Sequence, residues 1–96
     1  MIRLELTVNN HPGVMSQITG LFSRRAFNLE GILCTGLRDD SLSRIILFVT
    51  KDERLQQIIK ELERLYDVNE VTFKDEPANS LYKDLQEICE GKTVGV

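Results

Sequence analysis

The sequence predicts an α+β domain with the ferredoxin-like βαββαβ order: an antiparallel four-stranded sheet with two helices on one face, followed by a short helical tail. Three patterns lead to this prediction: an alternating apolar segment at the N-terminus, two segments with helical apolar spacing, and a β-branched run between them. A domain typically takes roughly 100–150 residues, so the 96 residues of this chain exclude a multidomain enzyme. We expect one domain over residues 1–76 and a tail, helical in part, over residues 77–96.

The first strand and the first helix follow from a change in the apolar period. A strand with one buried face is predicted by the alternating apolar residues Ile2, Leu4, Leu6 and Val8. Residues 10–13 break the alternation, because proline cannot donate to a ladder and glycine favours turns. One face of a helix is then predicted by the three- and four-residue spacing of Val14, Ile18, Leu21, Phe22 and Ala26.

The second half of the domain repeats the pattern with two further strands before its helix. Residues 27–36 have strand-like composition, and residues 42–50 form a β-branched run whose two apolar faces indicate a central strand or one covered by a partner. Asp52 is a predicted N-cap. The helix that follows has the apolar stripe Leu55, Ile58, Ile59, Leu62 and Leu65. A last strand over residues 68–74 is closed by Pro77.

The predicted strand order leaves an edge suited to self-association. If strands one and three lie in the middle, strands two and four are the edges, and the edge with Ile32 and Leu33 can pair with a second copy. We therefore expect a homodimer. The tail has a shorter helical stripe, interpreted as a docking helix, at Leu81, Tyr82, Leu85, Ile88 and Cys89.

Composition excludes several classes of protein. With 12 basic and 15 acidic residues the net charge is −3, which argues against nucleic acid as the main partner. No apolar run approaches the roughly 20 residues that span a bilayer, and no secretion signal precedes the first strand, so no membrane partner is predicted and a cytoplasmic location is expected. Cys34 and Cys89 are expected to be reduced thiols. These two cysteines and the single histidine cannot form a four-ligand zinc site, and no metal site is predicted.

The junction between the first strand and the first helix is the candidate binding site. Free amides at a helix N-terminus attract carboxylates, and Gly13 allows a ligand to approach the backbone. Asn10 offers an amide oxygen to an ammonium group and an NH2 to a carboxylate, which together suit an amino acid. An ordinary turn is the competing interpretation. His11 is interpreted as a loop residue rather than a catalyst, and no catalytic residue is predicted.

Arg24 and Arg25, near the end of the first helix, are interpreted as complementing the helix dipole. A contact with a phosphate or a partner is the alternative.

The stretch NHPGVMSQITGLFSRRAFNLEGILC, residues 10–34, closely resembles the small regulatory subunits of acetohydroxyacid synthase, also called acetolactate synthase, within the ACT-domain family. The length resembles the short single-domain type. The resemblance implies a protein without catalytic activity that binds the catalytic subunit, raises its activity and confers feedback inhibition by a branched-chain amino acid, usually valine. Thiamine diphosphate, Mg²⁺ and FAD are then expected on the catalytic subunit only, with no cofactor on this chain.

The resemblance also implies which residues bind the effector. The matching positions are Asn10, Gly13, Val14, Met15 and Asn28. The loop of one chain is expected to face strand two of the other, so that the two copies share the ligand. Its carboxylate is expected on the amides of residues 13–15, its polar end on the two asparagines, and its side chain against Val14 or the neighbouring strand.

The mode of regulation and three alternatives stay open at this stage. For the effector side chain we consider Leu33 as a contact, and for regulation the sheet face with Ile46 and Phe48, or the tail. Acylphosphatase-like enzymes and RNA-binding domains have the same element order. The first alternative lacks its arginine-bearing loop, and the second requires exposed aromatic residues where only Phe48 is present. The third is a freestanding ACT-domain sensor for another amino acid or enzyme.

Overall fold

A computed structural model describes residues 1–75, 77 and 81–91. In chain order the elements are β1 Ile2–Asn9, α1 Val14–Arg24, β2 Gly31–Gly36, β3 Leu42–Val49, α2 Leu55–Glu63, β4 Val68–Asp75 and α3 Leu81–Cys89. The predicted βαββαβ order and the helical tail are confirmed. The predicted end of the tail, residues 92–96, lies outside the described residues.

The four strands form one antiparallel sheet in the order β2-β3-β1-β4. The prediction that β2 and β4 are the edges is therefore confirmed. In the register, Ile32 lies beside Leu47, which lies beside Leu4, while Leu33 lies beside Ile46. Because side chains alternate across a sheet, Ile32 and Leu33 lie on opposite faces.

The core lies between the sheet and the two helices of the domain. Residues with no exposed surface come from β1, β3, α1 and α2: Leu4, Leu6, Val8, Ile18, Ile45, Leu47, Val49 and Leu62. Each fully buried aliphatic side chain of this kind stabilises the fold by about 1.5–3 kcal/mol. The apolar stripes predicted for the two helices therefore face the core.

The tail helix α3 covers one corner of the opposite sheet face. The Tyr82 ring centroid lies 5.2 Å from that of Phe48, which has no exposed surface. A Cβ at Gly31 would stand 3.1 Å from Leu85 Cδ2, so α3 packs closely on β2. Phe48 is consequently covered by its own chain and offers no surface for stacking a base. Ile88, from the same predicted stripe of α3, is 59% exposed.

Three element boundaries differ from prediction for local reasons. Helix α1 ends at Arg24 because Ala26 adopts a left-handed conformation with φ +52°. Strand β2 begins at Gly31 rather than near residue 27, since Phe27 is buried in the core. The predicted N-cap of α2 is wrong: Arg54 occupies that position, and Asp52 Oδ1 accepts the Arg54 N–H at 2.7 Å in the preceding turn. Within the described ranges, no helix is long and apolar enough to cross a membrane.

Candidate functional site

The junction between β1 and α1 is built around a glycine in a left-handed conformation. Gly13 is the N-cap of α1 with φ +95° and ψ −10°. A residue with a Cβ is disfavoured in this region by roughly 1–2 kcal/mol, so glycine suits the turn. No described atom lies within 4 Å of where its Cβ would stand. The backbone at Gly13 is therefore open to an approaching ligand.

The first turn of α1 presents a partly free set of amides. The Val14 N–H donates to the His11 carbonyl at 3.2 Å, whereas the Gly13 and Met15 amides meet no backbone acceptor among the described residues. Free N–H groups at a helix N-terminus attract anions. The Val14 side chain is buried in the core and Met15 packs against it. At these positions the backbone, rather than the side chain, is available to a ligand.

Asn10 is held against the turn that joins β2 and β3. Its N–H donates to the Ser41 carbonyl at 2.7 Å, and its Nδ2 donates to the Asp40 carbonyl at 3.0 Å. Asp39 stabilises that turn by accepting hydrogen bonds from the Ser41 hydroxyl and N–H, which lower the pKa of the Asp39 carboxyl. These hydrogen bonds fix the orientation of the Asn10 side chain. Its Oδ1 can still accept a hydrogen bond from a ligand.

Asn28 lies far from this junction within the same chain. It follows the opposite end of α1, whose 11 residues give a length of roughly 16 Å. Its Nδ2 donates to Glu30 Oε1 at 3.0 Å, and Glu30 is anchored by its N–H to the Phe48 carbonyl near the end of β3. Asn10 is instead fastened beside the start of β3. One chain therefore does not bring Asn10 and Asn28 together.

The expected aliphatic contacts do not share a face of the sheet either. Leu33 lies on the face opposite the helices, whereas Val14 is in the core beneath them. Ile32 is on the helix side of edge strand β2 and is 38% exposed. Among the aliphatic residues of β2, Ile32 is better placed than Leu33 to contact a ligand held at the start of α1.

A buried carboxylate that sequence reasoning missed supports the junction. Asp67, which is 7% exposed, accepts the Asn9 N–H on its carbonyl at 2.8 Å and Asn9 Nδ2 on Oδ1 at 3.2 Å. Asp67 Oδ2 lies 3.8 Å from His11 Nδ1, and Asn69 Nδ2 donates to Asn9 Oδ1 at 3.1 Å. These contacts fasten the β1–α1 loop to the start of β4. A pairing of residues so distant in sequence has no local signal.

The remaining candidates lie elsewhere. Arg25 forms a two-point ion pair with Glu61, joining α1 to α2. Cys34 and Cys89 are unpaired and exposed. Within residues 1–75, 77 and 81–91, no three His, Cys, Asp or Glu side chains are grouped to hold a metal ion.

Comparisons with known proteins agree on one family. Residues 4–70 match the family described as "AHAS small subunit-like ACT domain". The chain is 56% identical over 68 residues to the acetolactate synthase isozyme 1 small subunit of Escherichia coli, covering 71% of each chain. It is 37% identical over 73 residues to the probable acetolactate synthase small subunit of Archaeoglobus fulgidus, covering 72% of this chain and 46% of that one.

A solved structure agrees with these relatives. The acetolactate synthase small subunit of Thermotoga maritima matches with a TM-score of 0.70 and 34% identity, covering 81% of this chain and 48% of that chain. This chain thus spans about half the length of the longer relatives. These matches confirm the resemblance found in residues 10–34, and the chain belongs to the ACT-domain family of acetolactate synthase small subunits.

Proposed function

We propose that this chain is a non-catalytic regulatory subunit of acetolactate synthase in branched-chain amino-acid biosynthesis, acting in the cytoplasm. It binds valine between two copies of itself, activates the catalytic subunit and mediates feedback inhibition. The observation that carries the proposal is the β1–α1 junction, where open backbone at Gly13 adjoins free amides and a preset asparagine. Thiamine diphosphate, Mg²⁺ and FAD then belong to the catalytic subunit.

A two-fold dimer accounts for the separation of the two asparagines. The end of β1, the end of β2 and the start of β3 lie at one end of the sheet, and Asn28 lies at the other. If two β2 edges pair antiparallel, the start of one β2 lies beside the end of the other. This operation places Asn28 of one protomer near the Asn10 loop of its partner, so that two equivalent pockets form.

Each pocket suits the two ends of an amino acid. The carboxylate rests on the Gly13 and Met15 amides at the positive end of α1, and the ammonium donates to Asn10 Oδ1. Asn28 enters from the partner protomer and completes the polar shell. The aliphatic side chain lies against the partner's edge strand, where Ile32 is exposed on the helix side.

Regulation requires that the effector distinguish two states of the protein, because a ligand with equal affinity for both shifts nothing. Phe48 is sealed beneath α3, which makes it unavailable as a direct contact for the catalytic subunit. The accessible surfaces of this corner are α3 itself, with exposed Ile88, and the uncovered sheet face around Ile46.

The pocket is tested by Gly13→Asp with a matched control. Gly91 also has a positive φ, +85°, and no described atom within 4 Å of its Cβ position. Gly91→Asp therefore introduces the same charge and a similar backbone strain away from the junction. A calorimetric and thermal-shift screen against the twenty amino acids should show stabilisation by valine and its close analogues, since a ligand that binds only the native form stabilises it.

We expect Gly13→Asp to abolish valine binding and valine inhibition of the reconstituted enzyme while activation persists, and Gly91→Asp to retain all three. Retained inhibition in Gly13→Asp refutes the pocket. A freestanding ACT sensor is the second candidate. Binding of another amino acid, with no effect on acetolactate synthase activity, would favour that candidate.

A further inference from the structure

Four arginines line a groove on the helical layer that consists of two adjoining cavities, which share Arg25. One part, a cavity of about 420 Å³ between α1 and α2, is lined by Leu21, Arg24, Arg25, Glu61 and Arg64. A second cavity, of about 140 Å³, shares Arg25 and is lined also by Arg54, Gln57 and Ile58. We call this surface the arginine groove and define it by Arg24, Arg25, Arg54 and Arg64.

The groove is locally basic although the chain is acidic. It contains four of the seven arginines of the sequence, whose net charge is −3. Arg25 is paired with Glu61, and Arg54 with Asp52. Arg24 and Arg64 form no ion pair within 4 Å in the part of the chain that the structure describes, although the Arg64 charge adds to the effect of Arg25 in lowering the pKa of Glu61. The four arginines face two paired carboxylates, Glu61 and Asp52, which leaves a net positive charge along the arginine groove.

Arg24 is the basic residue in the last turn of α1, as expected for a charge that complements the helix dipole. Its Nη1 lies 3.4 Å from where a Gly20 Cβ would stand, so the side chain folds back along α1, away from the last carbonyl groups. The carbonyl of Arg25 at that end already accepts a hydrogen bond from Arg54 Nη1 at 2.8 Å. The Arg24 charge is thus also directed along the groove.

The chemistry of the groove suits carboxylates on an amphipathic segment. Arg25 already grips one carboxylate, Glu61, at two points, and this hydrogen bonding lowers the pKa of Glu61. Planar guanidinium groups match carboxylates in this way. Leu21 and Ile58, both nearly buried, provide an apolar floor.

We propose that the arginine groove docks an acidic segment of the catalytic subunit, with its carboxylates on Arg24 and Arg64. This inference rests on the proposed function, because it takes the catalytic subunit as the partner. The groove lies at the opposite end of α1 from Gly13 of the same chain, roughly 16 Å along the helix. Within one chain, the groove and the Gly13 backbone are therefore separate surfaces.

The test is charge reversal with a matched control. Arg24→Glu/Arg64→Glu is compared with Lys51→Glu/Lys74→Glu, which makes the same charge change at exposed lysines beside a separate cavity between α2 and β4. Association of each full-length protein with the catalytic subunit of the same organism is measured by calorimetry at several salt concentrations. Circular dichroism melting and valine binding by the isolated protein show that each variant is folded.

We expect the arginine variant to bind the catalytic subunit at least about tenfold more weakly and with a smaller salt dependence. Valine binding by the isolated protein should persist, and the lysine variant should bind the catalytic subunit within about twofold of wild type. Equal loss in both variants, or wild-type binding by the arginine variant, overturns the inference alone. Stabilisation of the wild type, but not the arginine variant, by inorganic phosphate also overturns it, since the occupant is then a free anion. If wild-type protein fails to bind the catalytic subunit, the proposed function itself fails.

Discussion

Gly31, at the start of β2, is the position where one added side chain tests how the tail helix is seated. A Cβ there would stand 3.1 Å from Leu85 Cδ2, 3.1 Å from Phe48 Cδ2 and 3.4 Å from Tyr82 Cε1. Carbon atoms in ordinary contact lie about 3.5–4.0 Å apart. The substitution Gly31→Val must therefore displace α3 or the Phe48 ring.

The expected loss of stability follows from opposing contributions. Overpacking costs about 1–3 kcal/mol, whereas a β-branched residue in place of glycine in a strand recovers up to about 1 kcal/mol. With α3 in place, Gly31→Val should lower the free energy of unfolding by up to about 3 kcal/mol, with a midpoint of about 1.5 kcal/mol. If α3 instead detaches, the overpacking is relieved, and the lost stability is that of exposing Phe48. Complete burial of Phe48 is worth about 1.5–3 kcal/mol.

Urea unfolding followed by circular dichroism measures the free energy of unfolding. Amide hydrogen exchange over Leu81–Cys89 reports whether α3 stays packed on the sheet. Gly36→Val is the control, because Gly36 ends the same strand and no described atom lies within 4 Å of its Cβ position. We expect Gly36→Val to leave α3 exchange unchanged. If Gly31→Val is as stable as Gly36→Val and its α3 exchange is also unchanged, the seating of the tail described here is wrong.

Three further predictions concern other contacts. Asp67→Ala removes a buried acceptor from the β1–α1 loop. We therefore expect urea unfolding to show a free energy of unfolding lowered by about 1–3 kcal/mol, and calorimetry to show weaker valine binding. If neither quantity changes, Asp67 does not support the loop. Hydrogen bonds from Arg25 lower the pKa of Glu61 below its ordinary value of 4.5, so this stabilisation is complete above pH 4.5 and is lost as the pH falls through the folded-state pKa. Glu61→Gln should therefore melt below wild type at neutral pH, and the two melting temperatures should converge in acid. In a Cys89→Ser background, pairing of β2 edges predicts that Cys34 reacts more slowly with a thiol reagent as protein concentration rises, and a constant rate argues against edge pairing.

The parts of the fold that depend on local periodicity could be predicted from the sequence. Strand β1 alternates between core and the opposite face as expected, and the stripe predicted for α2 is buried up to Leu62, with Leu65 packed against the core. Apolar burial dominates the energy of these elements, so the spacing of apolar residues was sufficient. Boundaries were less predictable, because single contacts such as the Asp52 turn decide them.

Features that depend on distant pairings could not be predicted in the same way. The two apolar faces of β3 indicated a central strand or a covering partner, and the structure shows both: β3 is central, and α3 of the same chain covers Phe48. The link from Asp67 to Asn9 and the joining of α1 to α2 through Arg25 likewise connect elements far apart in sequence. The turn glycine and the amides at the helix N-terminus were enough to predict the junction as a candidate site. Only the fold shows that Asn10 and Asn28 of one chain lie at opposite ends of the sheet.

Helix α1 is the element through which the two proposals are connected. Its N-terminus belongs to the proposed valine site and its C-terminal turn forms one wall of the arginine groove, while Ile18 and Phe22 fix it in the core between them. A helix packed in this way responds to a ligand as a rigid body rather than by local bending. Linkage then makes a quantitative demand: if valine changes the affinity for the catalytic subunit by some factor, the catalytic subunit must change the affinity for valine by the same factor. A valine affinity that is identical with and without the catalytic subunit would mean that α1 transmits no binding energy. Inhibition would then have to act on the catalytic rate alone.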